Sequence, residues 1–159
     1  MKYRILSDEE LAHLEDDFKQ FLIVNEVHDD EWREMNKKDS EKALSLVRLF
    51  SDTVLQKVYE KVKFIEHRSP NACMVFQLGE DKMDLISIAS SEKETDLSTP
   101  ESIHEALVKM PEKLQFFRST KPYIKDREME IHEMIEGGCV NSSEAFWILL
   151  EKAISTEPK

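Results

Sequence analysis

Glycine is nearly absent from this chain, which has only Gly79, Gly137 and Gly138. A phosphate-cradling P-loop and a dinucleotide fingerprint both need more glycines, set closer together, so nucleotide enzymes of those two classes are excluded. Cysteine is as scarce. Cys73 and Cys139 stand far apart in sequence, with neither metal-binding spacing nor a disulfide framework, and both are expected to be reduced thiols. There is no apolar run of roughly 18 residues and no basic-then-apolar leader before Ser7. The expectation is therefore no membrane span, no signal peptide and a cytoplasmic location. No internal repeat or low-complexity tract occurs.

What is present is hydrophobic residues at 40% and charged residues at 35% of 159 positions, the mix of a soluble globular chain with a charged exterior. A chain of this size fits one domain, 1–159, that buries about 68–70% of its unfolded surface, with frayed ends expected at 1–6 and 155–159. The net charge of −11 disfavours unspecific binding to phosphate backbones or anionic lipid. Its distribution is uneven. Residues 1–31 hold ten acids against Lys2, Arg4 and Lys19, a net of −7, whereas 109–127 set six cations against Glu112 and Asp126, a net of +4. Opposite poles suggest internal pairing or head-to-tail contact between copies.

The longest regular element is expected over 39–60. Ala43, Leu44, Leu46, Val47, Phe50, Val54, Leu55 and Val58 share an arc of roughly 180° on a helical wheel, opposite a stripe of Glu41, Ser45, Arg48, Asp52, Gln56 and Glu60. Asp39 or Ser40 is its N-cap, and the helix is read as the centre of the fold. Before it, Ser7 and Glu10 form a capping box for a helix reaching about Asn25, and Asp29 or Asp30 caps one or two turns carrying Trp32 and Met35. After it, Val62–His67, Ala72–Leu78 and Met83–Ala89 read as an antiparallel meander whose middle run, almost continuously apolar, is a strand shielded on both faces.

Residues 89–99 are polar and without period, the least ordered internal loop. Thr99 and Pro100 then start a helix with Ile103, Leu107 and Met110 on one face. Leu114–Arg118 is a short candidate for a fourth strand. Ile124, Ile131 and Ile135 face inward on a helix closed by Gly137 and Gly138, and Asn141 or Ser142 caps a last helix with Phe146, Leu149, Leu150, Ala153 and Ile154 on its apolar face. The fold class is α+β: a small, mainly antiparallel sheet of three or four strands with helices packed on it.

The chemistry-bearing residues are sparse. Glu10/His13 and Glu101/His104 repeat the E-x-x-H spacing of di-iron bundles, but on the first helix the pair falls on a polar flank and partner glutamates are missing. His28, Asp29, Asp30 and Glu31 are the densest potential ligands for a hard cation, but the run lacks the ligand spacing and central glycine of an EF-hand and is better explained as a helix-capping turn. His67 and His104 are weak metal or acid–base candidates, and His132, four residues from Glu128, reads as ordinary hydrogen bonding. Cys139 precedes a helix start, where a thiolate can be stabilised, and is also a fitting corner filler. Phe116, Phe117 and Tyr123 within the basic run have the mixture that single-strand binders use, though the global charge opposes it.

The segments FSDTVLQKVYEKVKFIEH at 50–67, EMEIHEMIEGGCV at 128–140 and SSEAFWILLEKA at 142–153 resemble a family of small uncharacterised bacterial proteins, a domain of unknown function spanning nearly the whole chain. That resemblance implies a bacterial, cytoplasmic, stand-alone domain and carries over no catalytic or binding residue. The leading expectation is a non-enzymatic protein that binds another protein or itself, with no cofactor. Its interface candidates are the aromatics Trp32, Tyr59, Tyr123 and Trp147 beside polar faces and the cations Lys121, Lys125 and Arg127. The alternatives are a small-molecule or metal-dependent enzyme with a site between sheet and helices, and a single-stranded nucleic-acid binder through 109–127.

Overall fold

Ser7 accepts the Glu10 amide hydrogen bond while the Glu10 carboxylate accepts from the Ser7 N–H, and this reciprocal cap starts α1 (Asp8–His13). The computed structural model describes residues 2–92, 95–109 and 111–155, and its contacts divide into two compact units, Met1–Glu60 and Lys61–Lys159. In the first unit the expected single helix to Asn25 is two. At Leu14 the backbone opens to φ −106° and ψ 23°, and α2 (Glu15–Val24) starts there. No glycine or proline announces that break. α3 (Asp29–Lys38) is longer than the one or two turns expected, and His28 occupies its N-cap, leaving Asp29 and Asp30 in the first turn to favour the helix dipole.

α4 (Ser40–Lys61) matches the long predicted helix within one residue at each end, and the Asp39 carboxylate accepts the Lys42 N–H as cap. Its buried set is Ala43, Phe50, Ser51, Leu55 and Tyr59. Val58 is 47% exposed, so the inward arc is rotated from the one read off the wheel. Phe18 and Phe21 of α2 meet Phe50 at centroid distances of 4.9 and 5.3 Å, and Trp32 of α3 stands edge-on to Phe18 at 5.2 Å. Residues 2–6 of the lead lie against α4. The Lys2 and Tyr3 amides donate to the two carboxylate oxygens of Asp52 at 2.7 and 2.9 Å, the Leu6 amide donates to Ser51 Oγ at 3.0 Å, and Tyr3 and Leu6 are buried.

The second unit is built on five antiparallel strands in the order β4-β3-β2-β1-β5, two more than the shortest expectation and one more than the longest. β1 (Phe64–Ser69), β2 (Ala72–Leu78) and β3 (Lys82–Ala89) form the predicted meander. In the β2–β3 turn the Gly79 amide donates to the Lys82 carbonyl at 3.0 Å, and a Cβ on Gly79 would lie 2.8 Å from that oxygen, so the turn requires glycine. β4 (Gln115–Pro122) runs four residues beyond the predicted LQFFR, paired along its whole length with β3. β5 (Val140–Asn141) pairs with Ile65 and Glu66 of β1 and has no signature in so short a stretch.

α5 (Pro100–Lys109) starts as read, with Thr99 Oγ1 accepting the Ser102 N–H; Met110, expected on its apolar face, lies outside the described residues. A 3-10 turn at Pro111–Lys113 leads into β4. The 89–99 segment has no regular structure over its described residues, yet it is tied down: Ser90 and Leu97 amides donate to the Asn71 and Pro70 carbonyls, and Leu97 is fully buried. α6 (Arg127–Glu136) ends at Gly137, with Gly138 at φ 114° completing the cap. Ile131 faces inward, but Ile124 precedes the helix and is 88% exposed. α7 (Glu144–Ser155) is capped by Ser143, which accepts the Phe146 N–H, and not by Asn141 or Ser142, because the sheet takes both: Asn141 pairs with Ile65 and the Ser142 amide donates to Phe64.

Strand alternation gives the sheet two unlike faces. On one, Cys73, Val75, Ile86 and Ile88 join Leu97, Ile103, Ala106, Leu114, Trp147 and Leu150 in the core, under α5 and α7. On the other, Ile65, Leu78 and Met83 are buried at one end while Met74, Phe76, Leu85 and Ser87 are half-buried. β2 is thus shielded fully on one face and partly on the other, not on both as its apolar run suggested.

Candidate functional site

The half-buried face of the sheet is walled by α6, and the orientation of that helix is set by one side chain. Arg127 Nη2 donates to the Val62 and Leu78 carbonyls at 2.5 and 3.2 Å, and Nε donates to Gly79 O at 3.0 Å. Tyr123 Oη donates to the same Gly79 oxygen at 2.7 Å. Arginine's planar fork suits this work, since it satisfies several carbonyls at strand ends at once. At the other end of α6 the two glycines bring the chain back toward β1: a Cβ on Gly138 would lie 3.4 Å from the His67 ring.

Between helix and sheet lies a groove of about 520 Å³, entirely within the second unit. Met74 and Phe76 of β2 give it an apolar floor; His67, Lys121, Glu130, Glu133, Met134, Gly137 and Cys139 surround them. His67 and Met74 are direct cross-strand partners, which fixes both on this face. Glu133 is engaged by Lys125 Nζ at 2.5 Å, and the Lys125 amide donates to Glu130 at 3.3 Å. Burial raises the Cys139 thiol above its ordinary value of 9.0, the opposite of what an activated nucleophile needs. The Phe146 amide in the first turn of α7 donates to Ser143, and burial is the cause that raises the Cys139 thiol.

The remaining sequence candidates fall elsewhere. His28 to Glu31 form the start of α3, where Asp29 and Trp32 border a smaller hollow of about 290 Å³ with Glu15, Phe18, Lys19, Leu22 and Arg33. His104 is exposed on α5. Among the described residues no three His, Cys, Asp or Glu side chains gather in a group that could hold a metal ion. Of the interface aromatics, Tyr59 and Trp147 are buried, packed against Tyr3 and Phe64 respectively, which removes them from the open surface. Arg127 is committed to the carbonyls it anchors. Lys121 stands on β4 and Lys125 on the loop after it, both exposed.

The basic run is largely paired within its own unit. Lys109 meets Glu105 at 3.0 Å, Arg118 meets Glu151 at 3.1 Å, Lys125 meets Glu133 and Arg127 meets Glu128; among the described residues Lys113 and Lys121 form no ion pair. Phe116 packs against the core and the Tyr123 hydroxyl is bonded to Gly79, so Phe117, 60% exposed, is the ring of the three that stands in water. Sequence reasoning missed the groove floor, because Met74 and Phe76 looked like core residues of a doubly covered strand. Their alternation with Cys73 and Val75 was the available signal.

A model of a family of unknown function, DUF6495, matches residues 1–155. No curated protein and no solved structure matches the chain. No helix among the described residues is long and apolar enough to cross a membrane.

Proposed function

The chain belongs to this family of unknown function, and from that premise we propose that it is a non-enzymatic interaction protein whose docking surface is the cation-bearing strip formed by β4 and the loop after it. The observation that carries the reading is the exposure of Phe117 and Ile124 in a strip that also holds Arg118, Lys121 and Lys125, with Lys113 in the turn just before it. Large apolar side chains held in water with charges around them are what a partner covers. The acid-rich 1–31 segment supplies a complementary surface on a second copy.

Native mass spectrometry of the wild type beside the Lys113→Glu, Lys121→Glu double variant tests this. A multimer of the 18.6 kDa chain that dissociates in the variant supports self-association through the strip. A multimer that ignores the charge reversal counts against it, and a bare monomer in both restricts the reading to a different protein as partner. One observation favours a second reading: His67, Lys121 and Glu130 border an open groove between sheet and helix, a place where a small ligand or substrate fits. A reproducible extra mass of a small molecule or metal on the monomer would move the assignment to that groove.

A further inference from the structure

We propose that β4 receives an extended, acidic segment of a partner protein, which adds to the sheet as a sixth strand. This rests on the interaction reading above and names its partner class. β4 closes the sheet on one side, and six of its eight residues are exposed. The other edge, β5, is two residues long. A long edge presents unpaired N–H and C=O groups to any extended chain, while a short one offers almost none. Strand addition takes its affinity from those main-chain bonds and its selectivity from alternate side chains.

The side chains on β4 describe the segment that fits. On the groove face stand Phe117, Ser119 and Lys121, and on the other Phe116, Arg118 and Thr120. Phe116 packs against the core and Thr120 bonds to Asp84, which leaves Phe117, Arg118 and Lys121 to select. Lys121 forms no ion pair among the described residues, and the Arg118–Glu151 pair is solvent-exposed on both sides. An antiparallel strand in register meets Lys121 first, Arg118 three residues later and Phe117 next, so it carries the pattern acid-x-x-acid-apolar. A second copy of β4 is a poor occupant, because it brings two more cations to the same ladder, and like charges placed opposite one another destabilise strand pairs. The same cations that guard the edge against its own kind make it selective for an acidic one.

The test uses the full chain and a fluorescent peptide, Thr-Glu-Thr-Thr-Glu-Val-Thr-Val, followed by anisotropy at low salt, with hydrogen exchange read across 115–122. Saturable binding is expected, with new amide protection in β4. N-methylation of alternate peptide amides in one register should weaken binding by roughly tenfold or more while the other register leaves it nearly intact, since only one set faces the edge. The Arg118→Glu, Lys121→Glu variant should lose binding, and Phe117→Thr, which keeps strand propensity, should lose several-fold. The proposal is overturned by no binding to the wild type, by binding indifferent to both methylated registers, or by protection, in the free protein at concentrations where it is dimeric, of the β4 amides that do not bond to β3. Binding indifferent to methylation but lost on charge reversal removes the added strand and leaves the cationic docking surface standing. Failure of every peptide alongside a multimer that responds to charge reversal does the same.

Discussion

Neighbouring residues in one strand live in different worlds here. Ile86 of β3 is fully buried beneath α5 and α7, and Leu85 beside it turns to the half-open face walled by α6. Cys73 and Met74 repeat the contrast on β2. The backbone and its ladder are common to both faces, so the difference comes from what covers each one. Two helices close the first face. On the second, α6 is tethered at its first turn by Arg127 and leans over part of the strands, leaving floor and rim accessible. A sheet with one face finished and one unfinished separates closed core from open groove by alternate residues along each strand.

The sharpest way to break this contrast is to cut the same volume on each side. Ile86→Ala should cost about 2–5 kcal/mol in urea denaturation, while Leu85→Ala, already partly in water, should cost about 1 kcal/mol. Equal losses would show that the second face is as closed as the first.

The two cysteines carry the comparison into pH and chemistry. Burial pushes the Cys73 thiol up to about 12, from an ordinary 9.0. A group whose folded pKa is raised contributes stability that is whole below pH 9 and is lost as pH climbs toward 12. Wild type should therefore destabilise over that interval more steeply than Cys73→Ala. With iodoacetamide at pH 8, Cys139 should be alkylated in the native protein, more slowly than a free thiol, and Cys73 only when the sheet opens; mass spectrometry of the labelled peptides reads both.

Smaller effects test the covers themselves. Ser143→Ala removes the cap of α7 and should cost about 1 kcal/mol, with the loss appearing as faster hydrogen exchange in that helix. Lys121→Glu, at the rim of the open face and on the strand edge, should change stability by less than about 0.5 kcal/mol, so any change in partner binding is a change in recognition.

Local chemistry made much of this fold legible. Ser7 with Glu10, Thr99 with Pro100, and Gly137 with Gly138 each mark a helix end by satisfying backbone groups within a few residues, and each was readable from spacing alone. What escaped depended on distant partners. β5 exists because Ile65 and Glu66 are there to pair with it, and that pairing displaced the α7 cap to Ser143. Trp147 looked peripheral because α7 is apolar almost all round, and only contact with the sheet decides which of its sides is inside. His67 and Cys139 were singled out separately, yet their meeting at one groove is a product of the Gly138 turn, which no local pattern encodes.

The clasp of the N-terminal lead on α4 has a consequence in time. The Lys2 and Tyr3 amides have their acceptor at Asp52, 50 and 49 residues later. At about 5–20 residues per second, synthesis needs roughly 2.5–10 s to supply that carboxylate. For those seconds the lead, with Tyr3 and Leu6 uncovered, has nothing to hold. This lead is thus among the last parts of the first unit to be completed, and a nascent chain halted before Asp52 is one whose lead has not yet found its place.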